Sequence, residues 1–135
     1  MSEVRGAVWA VVPREAGEAH VRALRCFSCK AIVTAPSMAC PSCGKRGALN
    51  EFQVADRGRL HCWSIVYRSF PGVHVPFISA VADMADGTVL KGNLRGVDPK
   101  PEALTFGMPL RLVLDDAGRK DAQGNSYISY FFEAA

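Results

Sequence analysis

Residues 26–44 read CFSCKAIVTAPSMACPSCG, two Cys-x-x-Cys pairs with ten residues between them. A two-residue gap lets both thiolates of a pair turn to one side of a tight turn. Two such knuckles facing each other supply the four sulfurs, each at about 2.3 Å, that Zn²⁺ takes in a closed tetrahedral site. The ligand set read from the spacing is Cys26, Cys29, Cys40 and Cys43. Gly44 follows the second pair, where backbone N–H groups must turn back toward sulfur and a positive φ is wanted. Four cysteines leave no ligand position for water, so the reading is structural zinc rather than catalytic zinc.

Two disulfides are the main competing use of these cysteines. The N-terminus MSEVRGAVWAVVPRE lacks the charged, apolar and small-residue pattern of a secretory signal, which argues against them. A thioredoxin-like redox pair needs a helix behind it, and Pro41 and Gly44 bracket the second pair with no helical pattern following. A rubredoxin-like iron site uses the same four ligands, and spacing alone leaves that open. His20 reads as a surface histidine. Cys62, the fifth cysteine, lies in an apolar β-patterned run and reads as a buried core residue.

The 135 residues are 49% hydrophobic and 21% charged, suited to a small ribbon plus one barrel. Sixteen basic against thirteen acidic residues give a net charge of +3, short of the bias expected of a dedicated nucleic-acid binder. No apolar run approaches the roughly eighteen residues that span a bilayer, and the expectation is a cytoplasmic protein without a membrane partner. The expected organisation is an N-terminal segment over 1–20, a zinc ribbon over 21–50 and a barrel over 51–135.

Working outward, Val8–Val12 is a short apolar patch, a strand or a docking segment, closed by Pro13 and followed by a polar, Gly-interrupted linker. Val21–Arg25 alternates into Cys26 as a ribbon strand would. From Ala48 a period-two pattern carries the chain out of the ribbon. Gly58–Phe70 (GRLHCWSIVYRSF) is the longest predicted strand, apolar on both faces as if covered on each. Asp86-Gly87 between two β-patterned runs predicts a hairpin of Phe77–Met84 with Thr88–Leu94. Pro101–Leu104 predicts one helical turn. Leu110–Leu114 and Ser126–Phe132 are the last strands, with Asp115–Asn125 as a polar turn. The fold class is mainly β: a rubredoxin-like zinc ribbon followed by a five-stranded OB-fold barrel.

The order of these features resembles a known family. The Cys-x-x-Cys and Cys-Pro-x-Cys-Gly knuckles are followed by VPFISAVADMADG, LKGNLRG and LTFGMPL. Together they are similar to the zinc-ribbon plus OB-fold proteins, a domain of unknown function, that accompany thiolases and thiolase-like enzymes. The resemblance runs from about Val21 to Phe132. It departs at the N-terminus, where many members carry a helix ending in a Trp-rich segment. It implies a non-catalytic subunit of a hetero-oligomer with a thiolase-like partner, supporting assembly and the binding of an acyl-coenzyme A thioester. No nucleophile with a marked base and no Gly-rich phosphate loop contradicts that role.

A coenzyme A thioester needs Arg or Lys at its anionic end and an aromatic or apolar groove for its arm. Arg57, Arg59, Arg68, Lys91 and Arg95, with Trp63, Tyr67 and Phe70 interleaved, are the candidate ligand or partner residues. The plainer reading makes Trp63 and Tyr67 core and the arginines a solvated rim. A different class of function, single-stranded nucleic-acid binding, would draw on the same residues, although the small charge excess argues against it. A stand-alone thioesterase or hydrolase would need catalytic equipment the sequence does not display.

Overall fold

The computed structural model describes residues 4–13, 19–120 and 122–135. Residues 14–18 of the expected linker lie outside them. The chain divides into two compact units, one made of Met1–Val54 with Leu114–Ser129 and the other of Ala55–Val113 with Tyr130–Ala135.

In the first unit, β1 (Val4–Gly6) and β2 (Val11–Val12) precede β3 (His20–Cys26), β4 (Ile32–Val33) and β5 (Leu49–Gln53). β3 is the spine. It pairs antiparallel with β2 through Val11 and Val21, with β4 through Leu24 and Val33, and with β5 from Arg22↔Gln53 to Cys26↔Leu49. Alternation along β3 buries Val21 and Ala23, then breaks at Arg25, which is exposed, so that Cys26 is buried at the strand's end. The apolar patch at the N-terminus therefore docks as a strand, with Ala10 and Val11 buried. β5, expected to lead out of the ribbon, is a full ribbon strand along β3. His20 is half-buried in β3 rather than fully exposed.

Both knuckles have the same backbone construction. Cys26 N donates to Ala31 O at 2.9 Å and Lys30 N to Cys26 O at 2.9 Å. In the second, Cys40 N donates to Lys45 O at 3.0 Å and Gly44 N to Cys40 O at 2.7 Å. The fourth residue after the first cysteine of each pair must be left-handed. Gly44 takes this with φ 79°, and Lys30 is forced into it with φ 69°. A Cβ in that region crowds the following carbonyl, so Lys30 carries a strain that Gly44 avoids.

The second unit contains β6 (Arg57–Val66), β7 (Phe77–Met84), β8 (Val89–Arg95), a 3₁₀ turn at Pro101–Ala103, and parts of β9 (Pro109–Lys120) and β10 (Ser126–Ala134). The strands pair in the ring β6-β7-β8-β10-β9 and back to β6. This closed five-stranded arrangement is the OB fold expected from the sequence. Alternation on β7 turns Ile78, Ala80, Ala82 and Met84 inward. They meet Leu60, Leu90, Leu94, Leu110 and Phe132, all at most 4% exposed. The Asp-Gly hairpin is present, with Gly87 at φ 92° and Asp86 accepting from the backbone N–H groups of Ala55 (2.8 Å) and Thr88 (3.0 Å).

Three expectations need correction. β6 is not apolar and covered on both faces, because a register shift between Leu60 and Cys62 resets its alternation and turns both His61 and Cys62 outward. Cys62 is thus exposed rather than a core residue. The Asp115–Asn125 segment is mostly strand, making β9 (12 residues) longer than β6 (10 residues). Its turn-forming residues are absorbed locally: Asp116 accepts from Gly118 N, and Gly118 takes φ 75° without ending the strand. Among the described residues no helix is long and apolar enough to cross a membrane.

Close approach fixes one position. A Cβ on Gly58 would lie 2.8 Å from the Asp83 carbonyl oxygen, which the β6–β7 ladder holds in place. Gly58→Ala is expected to destabilise the chain by about 1–3 kcal/mol, read as a lowered denaturant midpoint. At the knuckles, Gly44→Val should cost about 1–2 kcal/mol, whereas Lys30→Gly should leave stability unchanged or raise it. Equal unfolding midpoints for Gly44→Val and the unsubstituted chain would show that the turn does not need its left-handed residue.

Candidate metal centre and barrel cavity

The knuckles bring Cys26, Cys29, Cys40 and Cys43 together, with all four sulfurs within 4.8 Å of one another. Cys26 Sγ lies 3.8 Å from Cys43 Sγ, and Cys29 Sγ lies 3.6 Å from Cys40 Sγ. Four sulfurs about 2.3 Å from a central ion would be spaced about 3.8 Å apart along the edges of a tetrahedron. The donor set and its spacing therefore fit one tetrahedral thiophilic ion. None of the five cysteines is in a disulfide.

Backbone polarity supports the same use. The N–H of Cys29 brings the Cys26 thiol down to about 6, against the opposing effect of burial and with help from the N–H of Ser28. The N–H of Cys43 does the same for Cys40, which is also lowered, with that of Ser42 adding to it. The Cys43 thiol is moved down by the Lys45 N–H, but desolvation and the sulfurs of Cys29, Cys26 and Cys40 prevail and push it up to about 11. Thiolates crowd one another here, and a bound cation offsets that repulsion. Cys26 and Cys40 are buried with Ala48 beneath Ala31 and Leu49, while Cys29 and Cys43 are exposed.

In the second unit, a cavity of about 540 Å³ opens beside β6. Its floor includes Leu60, Met84 and Leu110, and Arg57, Arg59 and Phe106 stand at its polar and aromatic margin. Arg59 Nη1 donates to Gly107 O at 3.0 Å, fixing that guanidinium against the lip. Arg57 has no side-chain hydrogen bond or ion pair among the described residues. Across the ladder from it, Arg111 binds Glu133 at 2.8 Å. Arg111, assisted by Arg95 at 3.2 Å, holds the Glu133 carboxyl below the usual range.

The eight candidate residues are therefore distributed rather than gathered. Arg57 and Arg59 line the cavity. Trp63 is half-buried on β6 opposite Ala80. Tyr67, Arg68 and Phe70 stand in the exposed loop after β6, with Tyr67 64% and Phe70 82% exposed. Lys91 is exposed on β8 and its carbonyl accepts from the Tyr130 hydroxyl. Arg95 is held by Glu133 and lies 4.4 Å from the centre of the Phe131 ring.

Sequence reasoning missed Phe106 and the His61–Asp83 pair. Phe106 is 70% exposed, projected by the turn at Gly107 (φ 79°), whose N–H donates to Leu60 O at 2.7 Å. The Phe-Gly in LTFGMPL was the available signal. His61 Nδ1 lies 2.8 Å from Asp83 Oδ2 and packs edge-on to Phe106, ring centres 5.9 Å apart. That pair depends on the strand bulge, which has no sequence signature.

Comparison with known proteins extends these findings. Residues 51–115 match the family described as the ChsH2 C-terminal OB-fold domain. A DUF35 domain-containing scaffold protein of Methanothermobacter thermautotrophicus is 23% identical, over 81% of this chain and 80% of the relative. One of Methanocaldococcus jannaschii is 25% identical, over 67% of this chain and 64% of the relative. A probable enoyl-CoA hydratase alpha subunit of Thermomonospora curvata is 29% identical over 67% of this chain, but the match spans only 27% of that longer protein. Among solved structures, an Ltp2-ChsH2(DUF35) aldolase chain shares the fold, with TM-score 0.66 and 24% identity over 85% of this chain and 84% of that chain. The chain is thus similar to a DUF35 scaffold protein over four fifths of its length, and its residues 51–115 match the model of the ChsH2 C-terminal OB-fold domain.

Proposed function

We propose that this chain is a non-catalytic, cytoplasmic subunit of a hetero-oligomeric thiolase-like or aldolase-like enzyme acting on acyl-coenzyme A thioesters. The observation that carries the reading is its similarity to DUF35 scaffold proteins across both the ribbon-bearing and barrel-bearing parts of the chain. The structural neighbour, an Ltp2-ChsH2(DUF35) aldolase, agrees with a partner enzyme of this type. A probable enoyl-CoA hydratase subunit among the relatives agrees with thioester chemistry.

On this reading Cys26, Cys29, Cys40 and Cys43 hold one Zn²⁺. The ion supplies a closed, structural cross-link and leaves no position for substrate. Arg57 and Arg59 offer two cations above an apolar floor, suited to the anionic end of a coenzyme A thioester, and Phe106 offers an aromatic edge to the rest. Trp63, Tyr67, Arg68, Phe70, Lys91 and Arg95 fall to the partner surface or to the barrel's own stability. Bond cleavage or formation belongs to the partner enzyme.

Two measurements test the reading. Cys40→Ser should lower the metal content from one zinc per chain and weaken the complex in parallel. Retained zinc with an intact complex would overturn the structural role, and a reddish iron-loaded protein would overturn the choice of metal. Arg57→Ala and Arg59→Ala in the reconstituted complex should each weaken thioester binding by roughly tenfold, the loss expected when a charged hydrogen bond is removed. Unchanged dissociation constants in both variants would remove the cavity from the binding site.

A further inference from the structure

We infer that the outer end of the ribbon, centred on Phe27 and Met38 and ringed by Lys30, Lys45 and Arg46, docks into an acidic-rimmed apolar recess on the partner enzyme subunit. This rests on the accessory-subunit reading and names the surface that reading requires.

The apolar part is conspicuous in so small a module. Met38 is 87% exposed and Phe27 is 50% exposed, although the ribbon's buried cluster holds little more than Cys26, Cys40 and Ala48. Backbone pairing ties both segments to residues 45–48. An isolated bridge pairs Ala39 with Arg46, which sets Met38 beside the Arg46 end of the second knuckle. Phe27 N donates to Ala48 O at 2.9 Å, and Lys45 Nζ stands 5.1 Å from the centre of the Phe27 ring. Lys30 Nζ donates to Phe27 O at 3.3 Å, placing a third cation at the same end. An exposed, unbranched, polarisable Met and a half-exposed aromatic are well suited to filling a recess on another protein.

Charge indicates the partner's chemistry. Residues 20–54 carry five basic residues and one acidic, whereas the remainder carries eleven basic and twelve acidic. The acidic one, Glu51, is already paired with Arg22 at 3.3 Å. The chain's positive charge is therefore concentrated in the ribbon, and Lys30, Lys45 and Arg46 are exposed there. A complementary recess carries Asp and Glu at its rim.

The same patch is poorly made for nucleic acid. Single-strand binders present free aromatic faces for base stacking. In this unit Arg22 covers Trp9 at 4.3 Å, Arg25 covers Phe52 at 4.8 Å, and Lys45 covers Phe27.

The experiment uses the full chain and the thiolase-type or aldolase-type subunit that co-purifies with it, measured by titration calorimetry at low and near-physiological salt. Met38→Asp should weaken association by roughly tenfold or more, and Met38→Leu should not. Lys45→Glu combined with Arg46→Glu should weaken it comparably and flatten its salt dependence. Metal content and circular dichroism of each variant should match those of the unsubstituted chain, since all three side chains are exposed. If the partner binds the unsubstituted chain and these variants equally, the ribbon face is not the docking surface, while the accessory role stands. If no such subunit binds the unsubstituted chain, both fail. If single-stranded oligothymidylate binds and the same charge reversals abolish its binding, the surface is a nucleic-acid site and the inference is overturned.

Discussion

Four cysteine sulfurs gathered within 4.8 Å set the terms for the first unit. Each knuckle turns so tightly that the residue after its second cysteine becomes left-handed, and the second hairpin closes through Cys40 N to Lys45 O and the Ala39–Arg46 bridge. The cluster buried beneath the sulfurs is little larger than two cysteines and an alanine. That cluster, with Val21 and Ala23 of β3, is a small apolar area against the ordering of some thirty residues. The backbone amides that favour the Cys26 and Cys40 thiolates, and the crowding that opposes ionisation of Cys43, make an ion of opposite charge the natural complement. With it, the cross-link takes over the part that a hydrophobic core has in a larger domain.

The barrel meets the same entropic demand by packing. Phe132 is fully buried, and Gly92 is bare where a Cβ would lie 2.8 Å from the Tyr130 ring and 3.2 Å from that of Phe132. The Tyr130 hydroxyl then donates to the Lys91 carbonyl on β8. Among the described residues β8 meets β10 through Phe132↔Leu94 and Glu133↔Arg95. The tyrosine thus supplies a side-chain hydrogen bond to a strand whose ladder on that side is short. The Gly in LKGNLRG reads as a consequence of aromatic packing from a strand almost forty residues away.

Much of this is legible in the sequence because it is local. Cys-x-x-Cys spacing specifies a knuckle within four residues, Asp86-Gly87 a hairpin within four, and Pro101 a helical turn within three. What fails is set by neighbours. Cys62 reads as inward when strict alternation is carried through GRLHCWSIV, and one bulge after Leu60 reverses it. Asp115–Asn125 reads as a turn on composition, yet residues 115–120 continue β9, which pairs with β10. The metal ligands are visible as a set, while the cavity is not, because Arg57, Arg59 and Phe106 converge only when β6 and the turn before β9 are joined by Gly107 N–H to Leu60 O.

Residues 20–54 concentrate positive charge in a way that the ribbon fold does not require. A ribbon of this kind is held by its sulfurs whatever surrounds them, and five basic residues around them are not needed to hold an ion whose cysteine ligands already carry negative charge. Arg22, Arg25 and Lys45 lie over Trp9, Phe52 and Phe27, contacts worth about 0.5–1 kcal/mol each at exposed positions. These account for three of the five. Lys30 sits in a strained left-handed position that Gly would occupy more easily, and Arg46 borders an almost fully exposed methionine. Cations retained where the backbone would prefer another residue, beside apolar side chains left in water, are better explained by what the surface meets than by what the ribbon needs.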